Sequence, residues 1–160
     1  MADVSGKPVS RRMAIASGRI VIGEEAMRLL QAGQLPKGDP LAMAEIAGIL
    51  GAKQTPSLLP LCHPIALHRV SVRSLLRPDE QAVDVYCVAE IAERTGVEME
   101  ALTGLSIALL TIWDLVKPIN PALEITRLRL LFKSGGKRGD WSHPDGLDPA
   151  EEKLIEEFAG

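Results

Sequence analysis

An α+β fold, a mostly antiparallel sheet with helices packed on one face, is what this sequence predicts from three observations. The hydrophobic period switches several times between the two-residue repeat of strands and the 3.6-residue repeat of helices. The resulting segments run strand, helix, helix, strand, strand, helix, strand. The two middle strands are separated by Arg77–Pro78–Asp79, a reverse turn rather than a helical crossover, as antiparallel neighbours require.

Each element has its own signal. Arg11 to Ile22 reads as a strand containing Ile15, Ile20, Val21 and Ile22. Glu24 and Glu25 suit a first helical turn, where carboxylates meet the positive end of the helix dipole, and Gly33 stops that helix. Asp39–Pro40 is an N-cap acid followed by proline at the first helical position, with Leu41, Ala44, Ala47 and Leu50 following at helical spacing. Thr55–Pro56 starts one or two further turns up to Leu61. Leu67–Leu75 and Ala82–Glu93 alternate as strands, the second placing Val83, Val85, Cys87, Ala89 and Ile91 opposite Asp84, Tyr86 and Glu90. Val97 to Lys117 is the longest helix, apolar on most sides and therefore expected to be buried; Pro118 and Pro121 end it, and Leu123–Lys133 is the last strand.

Composition removes several function classes. With 160 residues, 46% hydrophobic and 24% charged, the chain suits one globular domain. An aromatic content of 3% leaves no platform for base stacking, and a net charge of −3 argues against coating nucleic acid. The apolar run Ala101 to Val116 is interrupted by Asp114 and falls short of a membrane span. Met1–Ala2–Asp3–Val4 is followed by no signal-peptide core, and Cys62 and Cys87 form neither a disulfide framework nor a zinc pattern. A cytoplasmic protein bound to neither nucleic acid nor membrane is expected. Residues 145–160 hold six acids against Lys153, a net of −5, so the first 144 residues carry +2 of the total. Residues 1–144 are read as a single catalytic domain and 145–160 as an acidic tail with at most a short surface helix.

Five places put reactive or anion-binding groups where a core would not want them. Lys37–Gly38–Asp39 at a helix start offers backbone amides and an ammonium to an anion, against the plain reading of a surface cap. Leu61–Cys62–His63–Pro64 holds a thiol and an imidazole between Pro60 and Pro64, against a buried Cys beside a surface His. Glu98–Met99–Glu100 heads the long helix, where acids are usually dipole partners. Asp114 and Lys117 are three residues apart on that helix, and an acid within an apolar run is costly to bury unless paired. Such a pair is suited to proton transfer. Lys133–Ser134–Gly135–Gly136–Lys137–Arg138–Gly139 has the composition of a phosphate cradle without P-loop spacing, and Arg127, Arg129 and Lys133 alternate onto one expected strand face. Fourteen positions separate Glu100 from Asp114, about 21 Å along a helix. One small substrate cannot touch both in one chain, unless it is long or the site forms between subunits. Lysines 37, 53, 117, 133 and 137 favour a ligand with several phosphates.

The segments LLPLCHPIAL, RTGVEMEALTGLSIALLTIWDLVKP and RLLFKSGGKRGD closely resemble those of the molybdenum cofactor biosynthesis C (MoaC) family. DVSGKPVSRR and KGDPLAMAEIAGILGAK resemble it as well, so the likeness runs from about Asp3 to Asp140. The resemblance implies a ferredoxin-like fold and a homo-oligomer, a hexamer built as a trimer of dimers with active sites at subunit interfaces. It implies conversion of a small nucleotide-derived substrate, 3′,8-cyclo-7,8-dihydroguanosine 5′-triphosphate, to cyclic pyranopterin monophosphate with release of pyrophosphate. Carried over by position, Asp114 and Lys117 match the family's catalytic pair. Leu61, Cys62, His63, Met99 and Glu100 match substrate-binding positions, and Arg12, Lys37, Lys53, Lys133 and Lys137 would face the phosphates. No metal site or resident cofactor is called for, and magnesium carried by the triphosphate is left open. Pro40, Glu45, Ser57 and Arg138 depart from the family pattern and bear on binding strength rather than reaction type. The rival reading is a non-catalytic nucleotide-binding or scaffold protein on the same fold.

Overall fold

The computed structural model describes residues 1–137 and 139–159; the departure at Arg138 lies outside them. The elements run β1 (Ser10–Val21), α1 (Glu24–Gln31), α2 (Pro40–Lys53), α3 (Thr55–Leu58), β2 (Arg69–Arg77), β3 (Ala82–Glu93), α4 (Glu98–Val116), β4 (Glu124–Ser134), β5 (Trp141–Ser142) and α5 (Pro149–Ala159). All strand pairs are antiparallel, in the order β2-β3-β1-β4-β5. The α+β reading therefore holds, with β2 starting two residues later than expected because its ladder opens at Arg69 opposite Glu90. The β2–β3 turn is a single 3₁₀ turn, Pro78–Glu80, closed by Gln81 in the left-handed region. The two-residue β5 and the terminal α5 have no counterpart in the expected element order.

On one face of the sheet, β1 contributes Ala14, Ala16, Ile20 and Ile22, and β3 contributes the expected alternate set from Val83 to Ile91. Leu105, Leu109, Ile112 and Val116 of α4 fill the layer above. Gly18 lies under α4, where an added Cβ would come 2.8 Å from a Leu109 methyl carbon.

The seam between α2 and α4 is closer still. A Cβ at Gly104 would sit 2.9 Å from the Gly48 carbonyl oxygen and 2.8 Å from Cys87 Sγ; one at Gly48 would sit 3.0 Å from the Gly104 carbonyl oxygen. The two helices run antiparallel, so the α2 start meets the α4 end and the α2 end meets the α4 start. By length and composition α4 could cross a membrane, longer than the run counted in the sequence. Here it is a half-covered core helix, with Leu105, Leu109 and Ile112 inward and Leu110 and Met99 outward.

The second face of the sheet is also covered. Leu154 and Phe158 of α5 are buried against Met13, Ile15, Tyr86, Val88, Leu131 and Phe132, each worth about 1.5–3 kcal/mol of apolar burial. The acids of the supposed tail are used here: Glu157 takes both guanidinium nitrogens of Arg73 at 2.6 and 2.7 Å, and Glu151 takes Arg129 at 3.1 Å. Arg69 and Arg73 stack over the Phe158 ring at 4.5 and 4.9 Å. This is why β3 is buried on both faces from Ala82 to Ile91. Beside that patch Asp84 is held by Arg19 (2.6 and 2.9 Å) and Arg77 (2.7 Å). Burial alone would raise the Asp84 pKa, and the two guanidinium groups outweigh it and lower it.

The expected basic stripe on β4 does not form. The pairing with β1 shifts register between Ile15 and Ala16 and again between Ser17 and Arg19, and Arg127 adopts a left-handed φ of 53°. These bulges turn Leu131 and Phe132, neighbours in sequence, toward the same layer. Arg129 consequently pairs with α5, whereas Lys133 pairs with Glu98 of α4 on the opposite side.

Gly104→Ala gains helix propensity of up to about 1 kcal/mol, yet its methyl meets backbone across the seam. The expected result is a net loss of about 1–3 kcal/mol, read as a lower urea midpoint. A variant as stable as the parent would show that the helix contact is loose.

Candidate active site

The chain places its candidate residues at the two ends of α4. At the C-terminal end, Asp114 Oδ1 lies 2.7 Å from Lys117 Nζ, one helical turn on. Lys37 joins from the loop before α2, donating to Asp114 Oδ2 at 3.1 Å and to its carbonyl oxygen at 2.9 Å. The carboxylate is not buried as its apolar surroundings in sequence suggested: its side chain is 53% exposed. Asp114 lies on the outward strip of a helix whose inward strip carries the core, so pairing is not needed to offset burial. The two ammonium groups, Lys117 first and then Lys37, hold its pKa below the ordinary aspartate value. An ionised acceptor flanked by two cations therefore stands open to solvent.

The start of α2 is less open to an anion than its sequence implied. Asp39 caps the helix with its own carboxylate, accepting from the Leu41 and Ala42 amides at 2.9 and 3.2 Å. Lys37 contributes through its ammonium alone. Lys53, the last residue of α2, is exposed and makes no ion pair among the described residues.

At the N-terminal end of α4 a cavity of about 240 Å³ is lined by Leu61, Cys62, His63, Met99 and Glu100, with Ala2, Ile65, Thr95, Gly96 and Glu98. The Pro60–Pro64 segment and the first turn of α4 thus meet, as their motifs suggested. Glu100 is 3% exposed, and burial followed by the neighbouring Glu98 charge raises its pKa. Burial, and then Glu100, raises the Cys62 thiol as well. His63 Nε2 stands 2.9 Å from the Ala2 carbonyl oxygen, which makes that nitrogen the donor.

A second cavity of about 240 Å³ adjoins it through Gly96 and Glu98 and is lined by Arg12, Lys133, Lys137 and the Gly135–Gly136 turn. Both glycines have positive φ, 85° and 81°, and a Cβ at Gly135 would come 2.2 Å from the Arg11 carbonyl oxygen. Only glycine lets this loop lie against β1 with its backbone turned to the cavity. Glu98 faces Lys133 at 2.8 Å. Burial would raise its pKa, and Lys133, its own backbone N–H and Arg12 together lower it. Glu98 was legible in the sequence only as a dipole partner, since its lysine is 35 residues away in β4.

Arg12, Lys133, Lys137, Cys62, His63, Met99 and Glu100 thus form one continuous wall, and Asp114, Lys117 and Lys37 form another about 21 Å away along the helix. No three His, Cys, Asp or Glu side chains converge as a metal site among the described residues.

Because the folded pKa of Glu100 lies above its ordinary value, its ionisation opposes folding, and stability falls as pH rises from the ordinary toward the folded pKa. Glu100→Gln is expected to unfold at higher urea than the parent near pH 7, with the gap closing near pH 4, where both carry a neutral group. An equal gap at both pH values would contradict the shift.

The sequence pattern of the MoaC family matches residues 1–136. A cyclic pyranopterin monophosphate synthase of a Nocardioides species is 49% identical over 145 residues, 90% of this chain and 89% of the relative. One from Streptomyces avermitilis is 49% identical over 142 residues, covering 89% and 82%, and one from Chloroflexus aurantiacus is 45% identical over 144 residues, covering 90% and 88%. With the family pattern spanning the sheet and both ends of α4, the chain belongs to the MoaC family.

Proposed function

We propose that this chain is a cyclic pyranopterin monophosphate synthase of molybdenum cofactor biosynthesis, a lyase converting 3′,8-cyclo-7,8-dihydroguanosine 5′-triphosphate to cyclic pyranopterin monophosphate and pyrophosphate. The observation that carries the reading is the 49% identity to a synthase across 90% of the chain. The site chemistry supports it. Rearranging the purine-derived rings moves protons between ring nitrogens and sugar hydroxyls. Asp114 and Lys117 offer an ionised acceptor and an ammonium donor 2.7 Å apart for those transfers. Closing the cyclic phosphate has a sugar hydroxyl lose its proton and attack the α-phosphorus. The bridging α–β P–O bond breaks, and pyrophosphate leaves with the bond's electrons. Arg12, Lys133, Lys137 and the Gly135–Gly136 backbone are the groups that would balance charge growing on those oxygens. Leu61, Cys62, His63, Met99 and Glu100 would hold the ring system, and Lys53 would reach the phosphates from the end of α2.

The separation of the two walls supports a site shared between copies, within a hexamer built as a trimer of dimers. Between the walls α2 exposes Met43, Ile46 and Leu50 at helical spacing, with Leu110 of α4 beside them, each about half exposed. Four large apolar side chains on one face are costly to leave in water. A two-fold axis across this strip would bring the α4 start of one copy against the α4 end of the other, closing a site that neither copy completes alone.

Asp114→Asn and Lys117→Ala are each expected to slow pyrophosphate release by about 10²–10⁴-fold while the fold is retained. Tight binding of the triphosphate without release by the unsubstituted protein would favour a non-catalytic binding protein. Sharing of the site is tested by co-expressing Asp114→Asn with His63→Ala: each alone is inactive, and mixed oligomers regain activity through sites built from the two intact halves. Mixed oligomers with no regained activity would place each site within one chain.

A further inference from the structure

The segment ahead of β1 touches both cavities on the N-terminal side of α4. Its Ala2 carbonyl accepts from His63, the Lys7 amide closes a turn onto the Val4 carbonyl at 3.1 Å, and the chain then enters the sheet at Ser10. Along that path Lys7, Pro8 and Ser10 line a cavity of about 410 Å³ together with Arg12, Gly136 and Lys137. The last three also line the glycine-loop cavity beside Lys133, so the two spaces are contiguous. Three features of this outer space point to a polyanion. Its described lining holds three cations and no acid. Arg12 is fixed by the carbonyl oxygens of Glu93 and Arg94, at 3.1 and 3.4 Å, which orient the guanidinium without neutralising it. Ser10 Oγ is buried and has no hydrogen-bond partner among the described residues, and an orphaned buried hydroxyl calls for one.

We propose that Lys7 and Ser10 complete a subsite for the distal phosphates of the substrate, delivered by the segment that precedes β1; this rests on the synthase reading above. The Gly135–Gly136 turn and Lys133 would hold the inner part of the phosphate chain, and Lys7 the end that leaves as pyrophosphate. Like charges gathered around one space repel, and a bound polyphosphate converts that repulsion into attraction. The single link from Ala2 to His63 ties the segment to the ring-side pocket, so it contacts both halves of one extended ligand.

The test uses the full chain with Lys7→Ala, Lys7→Arg and Ser10→Ala, and inorganic tripolyphosphate as a first probe by calorimetry. The parent is expected to bind it, Lys7→Ala about tenfold more weakly with a shallower salt dependence, and Lys7→Arg within about threefold of the parent. With the cyclised guanosine triphosphate, Lys7→Ala is expected to raise KM about tenfold and leave kcat within about twofold, with a smaller KM effect for Ser10→Ala. Unchanged KM and tripolyphosphate affinity in Lys7→Ala, in a protein that turns over normally, would overturn the subsite and leave the synthase reading standing. Loss of kcat without rescue by Lys7→Arg would also overturn it, because it would mark a structural role. Lys7-dependent tripolyphosphate binding in a protein with no turnover would keep the subsite and sink the synthase reading.

Discussion

The close approach of α2 and α4 at Gly48 and Gly104 is the contact on which the rest depends. Each glycine lets a neighbouring backbone carbonyl come within about 3 Å of where a Cβ would stand, so the helices meet nearly backbone to backbone. Because the pair is antiparallel, this one seam fixes both ends together. It carries Lys37 to Asp114 at one end and the Cys62–His63 segment to Glu100 at the other. A side chain in the seam would force the helices apart and disturb both groups, although neither glycine touches either one.

Charge is sorted by this frame. At the open end of α4 an exposed carboxylate is kept ionised by two ammonium groups, an arrangement that screening by water keeps inexpensive. At the covered end Glu100 is forced toward its neutral form by burial, while Glu98, one residue away from Met99 on the same turn, is kept charged by Lys133. Three acids on one helix therefore hold protons differently because their surroundings differ, the condition under which one fold can both give and take protons.

The second face of the sheet follows a different logic. The matched family region ends at residue 136, whereas α5 lies beyond it and covers Met13, Ile15, Tyr86 and Val88 with its own Leu154 and Phe158. Its glutamates meet arginines on β2 and β4, so the acidic charge that stood apart in the composition is balanced against the basic body. With that face covered, the α2–α4 strip is left as the large apolar surface beside the reactive groups.

The strand and helix order, the cap at Asp39–Pro40, the alternate set from Val83 to Ile91 and the pairing of Asp114 with Lys117 were all legible in the sequence. Each rests on spacing within one element, where local geometry alone decides which side chains share a face. The motifs around Cys62–His63, Glu98–Glu100 and the glycine loop were legible as reactive segments for the same reason. What tertiary structure alone decided involves residues distant in sequence: Lys37 reaching Asp114 across 77 positions, Lys133 meeting Glu98, and Arg12 and Lys7 facing Lys137. It also decided against two local patterns. The basic alternation on β4 was broken by bulges set by its pairing with β1, and the acid in the apolar run of α4 was left exposed because only half of that helix is covered. Spacing tells which groups share a face; which face meets the core, and what lies opposite, depends on how the whole chain packs.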